Sequence, residues 1–153
     1  MGHNQVGPIK FQDVSSTVGT AAAELGERSI VGGNEYLYCY NGTGSSVTQG
    51  ALMVMSGLSG YTMTRSSTES ADLPMVCARN TSVADGQYFW GMVRGVSPVM
   101  SIAVAAGDLL GVGDDGAVKT AVTGSFPTGV IVGKALGAST ANAQPSVYMK
   151  LFG

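Results

Sequence analysis

Residues 86–95, GQYFWGMVRG, open a stretch that continues as SIAVAAGDLLGVGDDGAVKTAV (101–122), GVIVGKAL (129–136) and SVYMKLFG (146–153). It reads as short strands separated by glycine turns. Val, Ile, Tyr and Phe suit a pleated surface, and Gly or Asp-Gly pairs provide the tight reversals between strands. Within it, Tyr88 and Trp90 face one way with Met92 and Arg94 behind them, while Phe89 and Val93 face the other. Residues 99–105 predict a strand with Met100, Ile102 and Val104 on one side. Asp115-Gly116 between LLGVG and AVKTAV is a hairpin signal, and Gly133 marks a bulge or a close backbone approach. The expectation is an all-β fold, a small antiparallel β-barrel or β-sandwich.

Working outward, NEYLYCYNG (34–42) is the first convincing strand. Tyr36, Tyr38 and Tyr40 recur at period two and share a face, with Leu37 and Cys39 on the opposite one. Asn41-Gly42 then predicts a hairpin turn. Further strands are predicted at 51–55, 61–65 and 75–82, with a polar break at 67–74 ended by Pro74. Residues 1–30 lack this pattern. Gly19, Gly26 and a Ser/Thr cluster oppose a long helix, so they read as an extended N-terminal arm with one turn at Ala21–Leu25. Ordering such an arm costs about 1–2 kcal/mol per residue, so it is expected to be fixed where a partner supplies contacts. The domain reading is therefore an arm at 1–30 and a β-domain at 31–153. The latter contains two loosely similar halves, 31–74 and 75–153.

Composition narrows the function. The chain has 153 residues, enough for one domain with a core. Charged residues are 12% of it, about half the roughly 25% of an average soluble domain, and the net charge is -2. So little charge leaves a monomer poorly protected against association, which points to surface buried against other subunits. Lys and Arg are scattered singly, so no nucleic-acid track is expected. No apolar run approaches the 18 residues of a membrane span, and residues 1–10 contain no apolar segment of a secretory signal. Val6 stands where a myristoylation pattern requires Ser or Thr. Asn41-Gly42-Thr43 and Asn80-Thr81-Ser82 match the glycan-acceptor pattern but read more simply as turn residues.

Catalytic chemistry finds little support. His3 is the only histidine, which removes histidine triads and His-based metal sites within one chain. Asp108, Asp114 and Asp115 read as turn residues, with a calcium site as the alternative, although the EF-hand order is missing. Glu35, Glu69 and Asp85 show no pairing that suits glycoside hydrolysis. Cys39 reads as a small buried apolar side chain, and its separation from Cys77 permits a disulfide without requiring one. No catalytic residue, cofactor or metal ligand is assigned. Lys119, Lys134 and Lys150 lie in or beside strands, either protecting sheet edges or pairing with a neighbouring subunit. Tyr88, Phe89 and Trp90 place rings on both faces of one strand. The face outside the core needs cover from a second sheet layer, the arm or another molecule.

The order of these segments resembles the decoration, or cement, proteins on the heads of tailed bacteriophages. The residues that carry the likeness are Gly86, Tyr88, Trp90 and Gly95, then Ala106, Gly107, Asp108 and Leu110. Residues 131–135 and 147–152 complete it. The resemblance covers the C-terminal part, with a looser echo in NEYLYCYNG and TQGALM. It implies a non-enzymatic virion protein on the exterior of the capsid, made in the host cytoplasm. Its partner would be the major capsid protein, whose neighbouring subunits it staples, itself as a trimer or dimer. Lys119 and Lys134 are the residues expected, after the arm, to make contacts. The alternative is another virion component, a minor coat, head-fibre or tail protein with a glycan-binding role.

Overall fold

A computed structural model describes residues 14, 16–57, 60–66, 75–101, 103–121, 131–141 and 143–151. These form twelve strands and no helix: β1 (Arg28–Val31), β2 (Asn34–Asn41), β3 (Val47–Thr48), β4 (Leu52–Met55), β5 (Thr62–Arg65) and β6 (Met75–Ala78), then β7 (Ser82–Val83), β8 (Tyr88–Pro98), β9 (Leu109–Val112), β10 (Val118–Thr120), β11 (Ile131–Ala135) and β12 (Ser146–Lys150). The predicted polar break at 67–74 lies outside the described residues.

The main sheet runs β1-β2-β5-β4-β6-β8-β12-β11-β9-β10, and β2 also pairs with β8. That extra pairing closes β2, β5, β4, β6 and β8 into a five-stranded barrel. Strands β12, β11, β9 and β10 form an extension carried on β8, β1 lies along β2, and β3 and β7 pair in a separate two-stranded sheet. Named strand pairs are antiparallel with one exception: β2 and β5 run parallel, Tyr40 opposite Thr62. The sheet is therefore mixed but mostly antiparallel, as expected.

Period-two alternation sorts the core into two clusters. Leu37 and Cys39 of β2, Met53 and Met55 of β4, and Phe89 and Val93 of β8 fill the barrel interior with their neighbours. Val47 and Val83, on the small β3–β7 sheet, belong to the same cluster. Tyr36 and Tyr38, with Trp90 and Met92, line the barrel's outer wall. Against them pack Val147 and Met149 of β12, Val132 of β11 and Leu110 of β9. The extension thus folds over the barrel wall as a second layer, and a large apolar surface leaves water on both sides of β2 and β8.

Residues 16–30, read from sequence as part of an arm, lie on the chain's own strands. Val18 exchanges backbone hydrogen bonds with Tyr88 (3.1 and 2.8 Å), and the Ala22 amide donates to the Tyr38 hydroxyl. The turn expected at Ala21–Leu25 falls at Glu24–Glu27, where Gly26 has a φ of +87°. This segment and the second layer cover the ring face of β8. Tyr38 sits 4.8 Å from Trp90 and stacks on Tyr88 at 6.0 Å. These rings are satisfied within the chain, and no neighbouring molecule is needed to cover them.

Two local expectations change. Asn41-Gly42 makes no hairpin: β3 pairs with β7, and Asn41 is buried with its amide bonded to the Ser45, Val83 and Ala84 carbonyls. Where a strand was predicted at 99–105, the described residues form isolated bridges at Ser101 and Val104, and Ile102 lies outside the described residues. Pro98 ends the ladder, and the amides beyond it reach several segments: Val99 to Pro145, Met100 to Gly50, Ser101 to Ala143. The Asp115-Gly116 hairpin is present. Both residues have positive φ (54° and 79°) and the Ala117 amide donates to the Asp114 carbonyl, as a type I′ turn requires.

Candidate interaction surface

The surface begins with a β-bulge. Glu35 pairs with Arg94 and Tyr36 with Met92, so β8 carries one extra residue, Val93, between the two pairs. Up to Met92 the even-numbered residues face the outer-wall cluster. Past the bulge, Arg94 and Val96 face the opposite side. The sequence reading that set Arg94 behind Trp90 and Met92 is corrected here, because a bulge reverses the alternation downstream. In the barrel that opposite side is the closed interior. Along the extension no strand among the described residues lies over it, and it is exposed.

Its residues form cross-strand rows. Ile30, Glu35, Arg94 and Lys150 stand side by side across β1, β2, β8 and β12. Val96, Tyr148, Lys134 and Leu109 form a second row across β8, β12, β11 and β9. Ile131 and Lys119 flank Gly111 in a third. Eight large hydrophobic residues are exposed among the described ones, and six of them lie on this side: Ile30, Val96, Leu109, Ile131, Leu136 and Tyr148. Such a concentration separates a patch from the scattered exposed apolar residues of any soluble surface. Ile30 is the extreme case at 75% exposure.

Charge is equally one-sided. Arg28, Arg94, Lys119, Lys134 and Lys150 belong to these strands, and Glu35 is their single carboxylate. Arg28 pairs with Glu35 at 2.5 Å. The Tyr148 side chain beside Arg94, and then the Glu35 carboxylate, raise the Arg94 pKa above the ordinary arginine value. A shallow hollow of about 290 Å³ between Ile30, Glu35, Arg94 and Tyr148 roughens the surface. Lys134 and Lys150 project from interior strands of the sheet, so edge protection does not account for them. It does apply to Lys119 on the terminal strand β10.

The other sequence candidates are dispersed. The Asp108 carboxylate accepts from the Ala105 amide and the Thr120 hydroxyl, which lowers its pKa. Asp115 pairs with Arg65 at 3.0 Å, and Asp85 accepts from the Gly44 amide. Glu69 and His3 lie outside the described residues. Among the described residues no group of three or more His, Cys, Asp or Glu side chains is arranged to hold a metal ion. Cys39 lies in the barrel interior and Cys77 in the outer-wall cluster, so the sheet separates two free thiols. Burial pushes the Cys77 thiol up to about 12 and raises Cys39 as well. A cavity of about 470 Å³ lies between β1 and the Arg79–Thr81 turn. Arg79 there donates to the Tyr36 hydroxyl at 2.8 Å.

The structure thus brings Lys134 and Lys119 onto one face, together with Lys150. Sequence reading missed Arg94, Val96, Leu109, Ile131 and Tyr148. The signal available was the alternation in SVYMK, which sets Ser146, Tyr148 and Lys150 opposite Val147 and Met149. Among the described residues, no helix is long and apolar enough to cross a membrane. The chain matches no protein-family model, and a search of curated proteins gave no match.

Proposed function

We propose that this chain is a structural virion protein that binds the outside of a tailed-phage head and staples neighbouring major capsid subunits. In this reading it is non-enzymatic, works as a trimer or dimer, and acts from the capsid exterior. The observation that carries it is the exposed, partly apolar sheet face on a domain whose two apolar clusters are buried within its own chain. A protein that stiffens a shell needs a broad contact surface on a rigid scaffold, and repeated modest contacts across a lattice give avidity. The sparse charge and the likeness of residues 86–153 to head decoration proteins support the same reading. The glycan-binding alternative has less support: Tyr36, the aromatic residue at the 470 Å³ cavity, is 2% exposed and offers no ring face for a sugar.

Electron cryomicroscopy of the intact particle tests this directly. The expected result is regular external density for the chain, touching two or more coat subunits at symmetry-related positions. Density confined to the interior or the tail, or a chain that never associates with a shell, overturns it.

A further inference from the structure

We propose that the face formed by the β1, β2, β8, β12, β11, β9 and β10 strands docks on an acidic protein surface of the coat lattice. This inference rests on the capsid-binding reading and names the chemistry of its contact. Five cations and one carboxylate stand on these strands, while the chain as a whole carries a net charge of -2. Among the described residues every other carboxylate lies outside these strands, and the face is a cationic region of an acidic protein.

Charge complementarity selects the occupant. Two copies meeting through this face would set the Lys134 and Lys150 side chains of each against those of the other, and like-charge juxtaposition opposes such a contact. A carboxylate-bearing surface pairs with them. Among the described residues Lys119, Lys134 and Lys150 have no ion-pair partner of their own. A nucleic acid fits less well. The rows alternate cations with Ile30, Val96, Leu109 and Ile131, and a phosphate backbone leaves those side chains in water. The apolar positions call for protein side chains that exclude water, with the cations at their margin setting orientation and encounter rate.

The test uses heads that lack the chain, the full-length protein and co-sedimentation, with wild type compared to Lys134→Glu/Lys150→Glu and to Val96→Ser/Ile131→Ser. Ser46→Glu, an exposed change away from the face, is the control. The charge reversal is expected to weaken head binding by about tenfold, and the apolar pair comparably, with Ser46→Glu binding as wild type. Melting curves and solution mass should be unchanged, because both lysines are exposed. Should the reversal lower the melting temperature, Lys134→Gln/Lys150→Gln gives the same reading with smaller amplitude. Variants that bind as well as wild type overturn the proposal while leaving capsid binding intact. Loss of a wild-type oligomer in the variants, or capture of duplex DNA by wild type and not by the reversal, identifies another occupant and also overturns it. Failure of wild type to bind heads sinks the capsid reading itself.

Discussion

Gly91 lies midway along β8, opposite Leu37 of β2 on one side and Ala78 of β6 on the other. A β-carbon at this position would overlap the side chain of Val76, whose branched Cβ is too short and stiff to move aside. Gly91→Ala is therefore expected to destabilise the barrel by about 1–3 kcal/mol, the usual cost of an overfilled core. Urea unfolding measures it. Val76→Gly in the same chain removes the obstructing Cβ with its methyl groups and should recover part of the loss. Strict additivity of the two changes would show that this contact is not the cause. Asn41 carries a different lesson at the same scale. Its place in Asn-Gly-Thr reads as a turn or a glycan acceptor, yet its side chain is fully buried. The amide nitrogen serves three carbonyls, and its oxygen accepts from the Thr43 amide and hydroxyl. Local sequence reports the polarity of such a residue and not the distant Val83 and Ala84 carbonyls that bury it.

At the level of elements, the β8 bulge decides which side chains face out. Removing Val93 brings Arg94 into the regular ladder beside Met92 and still leaves it opposite Glu35. The expected cost is the burial of one valine, about 1.5–3 kcal/mol. An alanine inserted between Gly95 and Val96 has the opposite character. It slips Val96–Pro98 by one place against Tyr148–Ser146 and turns each onto the wrong face. The insertion should lower the urea midpoint more than the deletion, and the reverse order would contradict this account of the bulge. Strand positions were largely legible in the sequence: alternation at 34–42, 61–65 and 146–150 marks β2, β5 and β12. Strand order was not, since the parallel β2–β5 pair and the closure of β2 on β8 join segments that no local turn connects. Nor was the exposed face, because Val96, Leu109 and Ile131 are as apolar as the core residues beside them. Only the bulge and the end of the barrel show that no described strand covers them.

For the whole molecule, the shared strand and the shared outer-wall cluster make barrel and extension one cooperative unit. The two thiols report on this independently, Cys39 from inside the barrel and Cys77 from its outer wall. Both should resist alkylation in the native protein and then react together at the rate of global unfolding. Labelling of one well before the other would reveal separate units. The thiols also set a pH dependence. Burial raises both pKa values above that of an unfolded cysteine, so the folded state holds its protons more tightly. The associated stability is complete below the unfolded pKa of about 8.5 and declines as pH rises through it towards the folded values. Unfolding midpoints should be insensitive to these groups at neutral pH and fall above about pH 9, and Cys77→Ala should reduce that alkaline slope. The single strand common to both layers has a mechanical consequence as well. Load applied to the outer face reaches the barrel through β8 and its ladder with β12, where Arg94–Pro98 meet Lys150–Ser146, and at the β9–β10 turn, where Gly116 bonds to Leu52 and Ser66. Ladder hydrogen bonds lie across the strand direction. A pull along the strands shears all of them together, whereas a lift at one end peels them in succession. The domain should hold harder against sideways sliding than against being raised from whatever it grips.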